Sequence, residues 1–447
     1  MYPEPRVDLS VEFCGVRFAH PFILAASPST DELDMVRDAF RAGWAGAVLK
    51  TTSVEGTPVD LVYPMMSGMD MGTERLVGMG NIDLISRYHI DEVEKRIAAL
   101  KSEFPDKRVI ASISGQSKES WQELARRSSA AGADLIECSF SCPQGTMGLR
   151  PGAMLGQDAN ASAQVAGWIK EAAGATPVVI KLTPQVADIA EVALAVKAAG
   201  ADAVCVGNTV PALMGVDLIV FPLLCKEGQR EVEHDLPLLT SPYKGEEPST
   251  PSNSPLQRGR IHEWTPIPNI AGRSTYSGLS GPAIKPISLR CVAEVARRAA
   301  MPIAASGGAV TWRDSMEFIL LGASVVEFCT AVMHFGFDMV TDLIEGLSFH
   351  LERCGIGSVR EIMGRALAQI GTHEELVRGQ EWRPLVDAEQ CVRCGLCMIA
   401  CRDAGHRAIV LDAERFPAID DEKCVGCALC SCICPAYCIE MKKRHEA

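Results

Sequence analysis

Eight short apolar segments alternate with helix-like stretches through the first 350 residues, and this alternation constrains the fold more than any other feature. The segments are FILAAS (22–27), AGAVLK (45–50), RVIASI (108–113), ADLIECSF (133–140), PVVIKL (177–182), DAVCVGN (202–208), PIAASG (302–307) and SVVEFCT (324–330). Between them, stretches such as DELDMVRDAFRAG repeat apolar residues at the spacing of an amphipathic helix. Eight βα units in one domain predict an α/β fold, a parallel (β/α)8 TIM barrel, rather than an open doubly wound sheet. Chemistry is then expected at the carboxyl ends of the strands.

The alternation stops between about residues 225 and 270, after the sixth predicted strand. The segment EHDLPLLTSPYKGEEPSTPSNSPLQRGRIHEW is rich in Pro, Ser and charged residues and shows no regular apolar period. We interpret it as a flexible insertion in a barrel loop, with a functional lid as the alternative. The predicted barrel domain spans residues 1–350 and includes this insertion.

Ten of the eighteen cysteines lie after residue 390, and nine of these ten fall within CVRCGLCMIAC and CVGCALCSCICP. Both runs contain C-x2-C-x2-C-x3-C, the spacing of two-cluster bacterial ferredoxins, in which the last cysteine of each run binds the other cluster. The pattern predicts two [4Fe-4S] clusters, because zinc sites instead pair two C-x2-C hooks across a longer spacer. The predicted ligands are Cys391, Cys394, Cys397 and Cys434 for the first cluster, and Cys401, Cys424, Cys427 and Cys430 for the second.

Residues 384–447 are therefore predicted to form a small α+β ferredoxin-like domain with two [4Fe-4S] clusters. Helical periodicity in FDMVTDLIEGLSFHLERCG and SVREIMGRALAQI leads into this domain and predicts a helical connector over residues 351–383. Cys432 and Cys438 fall outside the ligand spacing, and we interpret both as packed thiols.

Composition and charge restrict the class of protein. Hydrophobic residues make up 47% of the chain and charged residues 22%, as in ordinary globular enzymes. A formal net charge of -13 argues against nucleic acid or an anionic membrane as a partner. The N-terminus has no secretory pattern and no apolar run reaches transmembrane length, so we expect a cytoplasmic protein.

Residues 8 to about 350 resemble the FMN-dependent barrel of the dihydroorotate and dihydropyrimidine dehydrogenases. The segments that carry the resemblance are AASPST, VLKTTS, GNIDLIS, SCPQG, IKLTP, GNTVPALMG, SGLSGPAIKPISLR, ASGG and CTAV. The pyrimidine-reducing type is the most similar, since it carries the same two-cluster module behind the barrel. The resemblance covers almost the whole chain apart from the insertion.

The resemblance implies an FMN site at the strand ends. Lys50 and Lys181 each stand at such an end, where a buried lysine needs an anion or an electron-rich ring; two surface-reaching lysines are the alternative. A cation near the flavin N1–O2 edge stabilises the reduced, anionic flavin. Residues after strands seven and eight occupy the usual phosphate-binding corner of a barrel. The implied flavin contacts are Ala25, Ala26, Ser27, Lys50, Lys181, Ser280, Gly281, Gly307, Gly308 and Thr330.

The resemblance also implies a pyrimidine site. Asn81, Asn208 and Thr209 match positions that bind the imide edge of the ring, and an amide both donates and accepts, as that edge requires. Without the family context, an Asn after a strand is more simply a turn residue. Three positions depart from the family pattern: Ser139 replaces a usual Asn, Gln144 replaces a common His, and Asp83 replaces a frequent Glu. Ser139 is the shorter residue and weakens a two-point contact with the ring.

Cys142 is the predicted proton donor and acceptor. Reducing the C5–C6 bond needs a hydride on one carbon and a proton on its neighbour, from the face opposite the flavin. Cys142 stands just past a strand end, before a proline and a glycine-rich segment, and a free thiol has a pKa of roughly 8.5. Ser141 beside it would relay the proton to solvent. A buried structural thiol is the alternative.

No strand–GxGxxG–helix fingerprint for a dinucleotide occurs in the sequence. If NAD(P)H is the electron donor, its site is then on another polypeptide, and the ferredoxin module relays electrons from that partner's flavin. We therefore expect an FAD- and NAD(P)H-binding partner subunit, with a homodimer within a heterotetramer as a possible assembly.

The leading hypothesis is the FMN and iron–sulfur subunit of an NAD-dependent dihydropyrimidine dehydrogenase, which reduces uracil or thymine or runs the reverse reaction. The alternatives are a reductase of another conjugated alkene, a dihydroorotate dehydrogenase-like enzyme, and an electron-transfer subunit whose barrel only holds the flavin.

Overall fold

The computed structural model describes residues 7–54, 65–69, 76–83, 85–141, 154–217, 265–268, 270, 273–376 and 382–443. The chain divides into two compact units, Met1–Ala368 and Gln369–Ala447. Among the described helices, none combines the length and the apolar composition needed to cross a membrane. Positions 218–264, which include most of the insertion predicted at about residues 225–270, lie outside the described residues.

Eight parallel strands close into a barrel in the first unit, which confirms the predicted (β/α)8 TIM barrel. The strands are β1 (Phe22–Leu24), β2 (Gly46–Val48), β3 (Arg108–Ile113), β4 (Leu135–Ser139), β5 (Val178–Leu182), β6 (Ala203–Val206), β7 (Ile303–Ser306) and β8 (Val325–Phe328). Each strand pairs with the next in sequence, and β8 pairs with β1 to close the barrel. All eight lie within the apolar segments predicted from the sequence.

Helices cover the outside of the barrel and follow the predicted amphipathic stretches. They are α1 (Leu33–Ala42), α2 (Ile90–Glu103), α3 (Lys118–Ala130), α4 (Ala159–Ala173), α5 (Ile189–Ala198), α6 (Lys285–Ala299), α7 (Trp312–Leu320), α8 (Thr330–Phe335) and α9 (Met339–Arg353). Their apolar faces pack on the strands in one continuous core, in which Trp44 and Trp121 are fully buried. The division into 1–350, 351–383 and 384–447 stays a prediction; in the structure, Leu351, Val359 and Ile362 pack into the barrel core.

A four-stranded antiparallel sheet, called the cap sheet here, consists of segments from two connections of the first unit, β2 to α2 and β6 to α6. Its strands, in spatial order, are Met66–Met69, Gly78–Asn81, Ser277–Ser280 and Val210–Ala212. The last of these follows β6 after only three residues, so the cap sheet lies at the carboxyl ends of the barrel strands. At the opposite end, a hairpin of Val11–Phe13 and Val16–Phe18 brings Phe18 against the first residue of β2.

The second unit is a small α+β domain. Strand Trp382–Val386 pairs with Ile439–Lys443, and Ile409–Leu411 pairs with Pro417–Ile419, both antiparallel. Helices α10 (Leu396–Ala404) and α11 (Leu429–Cys432) complete the described elements. Its core consists mainly of cysteines with Ile409 and Ile439, so few apolar side chains support the fold without the cysteines.

Candidate active site and thiol pockets

The ends of β4, β5, β6 and β8 place a buried charged triad inside the barrel. The Lys181 ammonium donates to Glu137 Oε1 at 3.1 Å and to Glu327 Oε2 at 2.9 Å, and all three side chains are buried. The Cys205 thiol lies with the two carboxylates within 4.8 Å. These three ligand types could hold a metal ion, but the ammonium already lies between the carboxylates. We therefore interpret the group as an ion-pair triad.

Protonation of the triad is set by its isolation from water. Burial raises the pKa of Glu137 to about 8, and the negative charge of Glu327 acts in the same direction. Burial opposes the charge of Lys181, yet its neighbours Cys205, Glu137 and Glu327 outweigh burial and raise the pKa of Lys181 well above its usual value. At neutral pH the triad therefore holds a protonated Glu137 beside the charged lysine. Because an ammonium has three N–H donors, one remains for a ligand.

Lys50, at the end of β2, forms a second buried ion pair. Its ammonium donates to Asp83 Oδ1 at 3.0 Å and lies 4.0 Å from Asp31 Oδ2. Only 6% of the lysine side chain is exposed, so the surface-reaching alternative is wrong for Lys50, and also for Lys181 at 7%.

Contacts on the cap sheet gather the predicted substrate residues. Asn81 Nδ2 donates to the Gly278 carbonyl at 3.0 Å, and a methyl group at Gly278 would meet the Thr209 hydroxyl. Asn208 Oδ1 accepts from the Thr209 N–H at 2.7 Å, and Asn208 Nδ2 donates to Ser141 Oγ. Ser139, at the end of β4, pairs in register with Lys181. The four polar residues Asn81, Asn208, Thr209 and Ser141 thus form one connected group.

The predicted phosphate corner consists of tightly packed small residues. Gly307 and Gly308 have φ values of +119° and +90°, and a Cβ at Gly308 would lie 2.7 Å from the backbone nitrogen of Lys285 at the start of α6. The Thr330 hydroxyl donates to Ser280 Oγ at 2.9 Å, which brings Ser280 and Gly281 to the same corner. This cradle therefore consists of glycines that no larger residue could replace, together with the two hydroxyls of Ser280 and Thr330, and such a set suits a bound phosphate.

Three further predicted flavin contacts follow β1. Ala25 donates its N–H to the Phe328 carbonyl at 2.8 Å, beside the end of β8. Ala26 is half-buried, and Ser27 is 5% exposed with a hydroxyl that has no hydrogen-bond partner among the described residues. A buried hydroxyl without a partner is costly, and a polar ring such as a flavin would satisfy it.

Cys142 and Gln144 lie outside the described residues, and the role assigned to Cys142 stays a prediction. The described chain ends before them at Ser141, which is connected to Asn208 as above.

Two pockets in the second unit are lined by thiols, and all sixteen cysteines of the described residues are free. The first thiol pocket is lined by Cys391, Cys394, Cys397, Cys434 and Cys438, and the second by Cys401, Cys424, Cys427 and Cys430. The last cysteine of each run therefore lies with the other run. The Ala408 N–H donates to Cys401 Sγ at 3.3 Å, as amides do toward cluster-bound sulfur. The donor set fits a [4Fe-4S] cluster in each pocket.

The interpretation of Cys432 and Cys438 as packed thiols has a different outcome for each residue. Cys432 is exposed, because it is the last residue of the short helix α11, so that interpretation was wrong for it. Cys438 is buried, but it lines the first thiol pocket rather than only apolar neighbours.

Sequence reasoning missed Glu137, Glu327 and Cys205 as site residues. The signal for the two glutamates was a charged residue inside an otherwise apolar strand, in LIECS and VVEF. A glutamate at such a position has no reason to be buried unless a cation faces it.

Two family models match the chain. The dihydroorotate dehydrogenase model matches residues 8–228 and 252–351, and the 4Fe-4S dicluster domain model matches residues 384–441.

Three relatives illustrate the similarity over longer spans. The NAD-dependent dihydropyrimidine dehydrogenase subunit PreA of Escherichia coli K12 is 34% identical over 406 residues, which cover 90% of this chain and 87% of that protein. The chloroplastic dihydropyrimidine dehydrogenase (NADP(+)) of Arabidopsis thaliana is 29% identical, covering 85% and 81%. The catalytic subunit of dihydroorotate dehydrogenase B (NAD(+)) of Pyrococcus abyssi is 31% identical, covering 80% and 99%.

Proposed function

Because this chain belongs to the dihydroorotate dehydrogenase family and carries a 4Fe-4S dicluster domain after its barrel, we propose that it is the FMN and iron–sulfur subunit of an NAD-dependent dihydropyrimidine dehydrogenase. It is an oxidoreductase that acts on a CH–CH bond. The proposed reaction is reduction of the C5–C6 bond of uracil or thymine, or the reverse oxidation.

The observation that carries this proposal is that one chain combines two thiol pockets with a barrel whose strand ends carry buried lysines and a glycine-rich corner suited to a flavin phosphate. Clusters transfer electrons one at a time and form no bonds with the substrate, so they serve a donor that is remote from the barrel. A relative that is 34% identical over 90% of this chain is named as a dihydropyrimidine dehydrogenase subunit. The proposed cofactors are one FMN and two [4Fe-4S] clusters.

In this proposal, bound FMN supplies hydride transfer with the pyrimidine ring. Lys181 would offer its remaining N–H donor to the flavin, while Glu137 and Glu327 fix the position of the ammonium. Lys50 acts likewise from β2, supported by Asp83. Gly307, Gly308 and Thr330 hold the phosphate through backbone N–H groups at the cradle described above.

The polar group on the cap sheet binds the substrate. Asn81, Asn208 and Thr209 offer both donors and acceptors to the imide edge of the pyrimidine. Cys142 delivers or removes the proton on the face opposite the flavin. Since Ser141 accepts its hydrogen bond from Asn208, it keeps its own hydrogen for donation, which suits a relay to solvent.

NAD(P)H binds elsewhere in this proposal. The sequence holds no strand–GxGxxG–helix fingerprint, and the Escherichia coli and Pyrococcus relatives are both named as subunits. We therefore propose a partner subunit with FAD and an NAD(P)H site, assembled with a homodimer of this chain into a heterotetramer.

Flavin reduction in the isolated chain tests the proposal. Anaerobically purified chain should hold one FMN and about eight irons. Rapid mixing with dihydrouracil or dihydrothymine should bleach the flavin absorbance, whereas NADH should leave it oxidised on the same timescale. Fast direct reduction by NADH, or no reduction by either dihydropyrimidine, would contradict it.

Ser139 favours a second candidate, a reductase of another conjugated alkene, because its hydroxyl replaces an amide contact with the ring. Including dihydroorotate and an unrelated enone in the same experiment separates these activities. A barrel that responds to none of the substrates while its clusters still pass electrons would instead indicate an electron-transfer subunit.

A further inference from the structure

The first thiol pocket contains one more cysteine than a four-iron cluster needs. Cys438 lines it together with the four predicted ligands, and only 5% of its surface is exposed. Its sulfur lies 3.5 Å from that of Cys434, the predicted fourth ligand. The two thiols therefore share one corner of the pocket.

Backbone hydrogen bonds fix Cys438 at that corner. The Asp387 N–H donates to the Cys438 carbonyl at 2.8 Å, and the Asp387 carbonyl accepts from the Cys391 N–H at 3.0 Å. Asp387 thereby links Cys438 to Cys391, the first cysteine of the run that lines the same pocket.

The second thiol pocket has the same arrangement with one difference. The Asp420 N–H donates to the Ala408 carbonyl at 2.7 Å, and the Asp420 carbonyl accepts from the Cys424 N–H at 3.0 Å. Ala408 is therefore the counterpart of Cys438, and each is followed by a buried isoleucine. A methyl group suffices for packing in the second pocket, so packing alone does not require a thiol in the first.

We propose that Cys438 is a reserve ligand for the first cluster, able to replace Cys434 on the same iron. The inference rests on the two-cluster assignment in the proposed function. In the exchange, Cys438 releases its thiol proton as its sulfur binds iron, and the displaced Cys434 thiolate takes up one proton. No electron moves, so the oxidation state of the cluster is unchanged.

A matched pair of variants tests this in the full chain. Cys434→Ala removes the fourth ligand beside Cys438, and Cys401→Ala removes the fourth ligand beside Ala408. After anaerobic reconstitution, Cys434→Ala should keep about eight irons and show no three-iron EPR signal after mild oxidation. Cys401→Ala should lose its second cluster or show the three-iron signal. Equal iron loss in both variants would overturn the proposal.

Two additional variants isolate the role of the thiol. Cys434→Ala with Cys438→Ala should lose the iron that Cys434→Ala keeps, whereas Cys401→Ala with Ala408→Cys should recover iron. A double variant that keeps all its iron would overturn the proposal, because another group would then be the substitute ligand. If the wild-type chain holds only one cluster, the two-cluster assignment in the proposed function is refuted. That outcome is a low iron content before any mutation, so it is distinguishable from iron loss caused by the variants.

If Cys434→Ala does not fold, oxidation of folded proteins decides the question. Wild-type and Cys438→Ala chains are treated with ferricyanide, and the three-iron EPR signal is followed with time. The signal should grow several-fold faster in Cys438→Ala, because no second thiol remains to bind the iron when Cys434 releases it. Equal rates would overturn the proposal.

Discussion

Replacing Glu137 with glutamine should remove a pH dependence from the stability of the barrel. In the fold, Lys181 donates to Glu137, and the pKa of this carboxyl rises from its usual 4.5 to about 8 because of burial. Between these two values the folded state binds a proton that the unfolded state has released. The contribution of Glu137 to stability is therefore fully present below pH 4.5 and is lost as the pH rises toward 8. Glutamine keeps the acceptor for Lys181 and carries no titratable proton.

The size of the effect follows from proton linkage. One proton bound only in the fold lowers the free energy of unfolding by about 1.4 kcal/mol for each pH unit. Between about pH 6 and about pH 7.5, the wild type should lose about 2 kcal/mol more than Glu137→Gln. Burial lowers the pKa of His20 to about 4, so His20 titrates in the unfolded state of both proteins and cancels in the difference.

Urea unfolding of flavin-free chain, followed by tryptophan emission, measures this difference. Trp44 and Trp121 are fully buried in the barrel core and report its unfolding. Glu103→Gln is the matched control, since its carboxylate is exposed and hydrogen-bonded to Arg37, which lowers its pKa and keeps its titration below the tested range. Parallel stability curves for wild type and Glu137→Gln would show that Glu137 is ionised in the fold, and the reasoning about the triad would be refuted.

Three other changes have defined outcomes. Cys142→Ser should keep flavin and both clusters but slow flavin reduction by dihydropyrimidine by about two orders of magnitude in stopped-flow measurements, with a residual rate that rises with pH; near wild-type rates would return Cys142 to a structural role. Gly308→Ala should lose flavin, because its Cβ would meet the Lys285 backbone at 2.7 Å, whereas Gly132→Ala, at a similar φ of +93° with open space, should cost only about 1 kcal/mol and keep flavin. Equal flavin content in these two glycine variants would contradict the cradle. Deleting residues 225–262 should leave flavin content nearly unchanged, since their sequence has no core-forming pattern; flavin loss would favour the lid.

The sequence predicted the barrel strands and the residues at their ends because both depend on local patterns. Apolar segments of four to six residues identify strands such as β3 and β5, and the one or two residues after each segment lie at the carboxyl end of the strand, where the site is expected. Lysines within such segments indicated buried charge at Lys50 and Lys181. The cluster ligands could be predicted for the same reason, because the C-x2-C-x2-C-x3-C spacing is a local property of the sequence.

The partners of those residues depend on contacts that are distant in sequence. Lys181 meets Glu137 and Glu327 across 44 and 146 positions, and only the closed barrel brings them together. Cys438 likewise reaches the first thiol pocket through its contact with Asp387 and the strand that follows it. Spacing along the chain contains no information about either contact.

The cap sheet and the ends of the barrel strands carry different parts of the proposed site. Asn81 and Thr209 reach their positions through the antiparallel strands of this sheet, while Lys50, Lys181 and Gly308 are fixed at the barrel ends. In the proposed function, side-chain substitutions at Asn81 and Thr209 are therefore expected to alter which ring is accepted, whereas a register shift of the cap sheet would also move Ser280 at the phosphate corner. Substrate choice can diverge among descendants of one ancestral barrel while their electron-transfer chemistry is inherited intact.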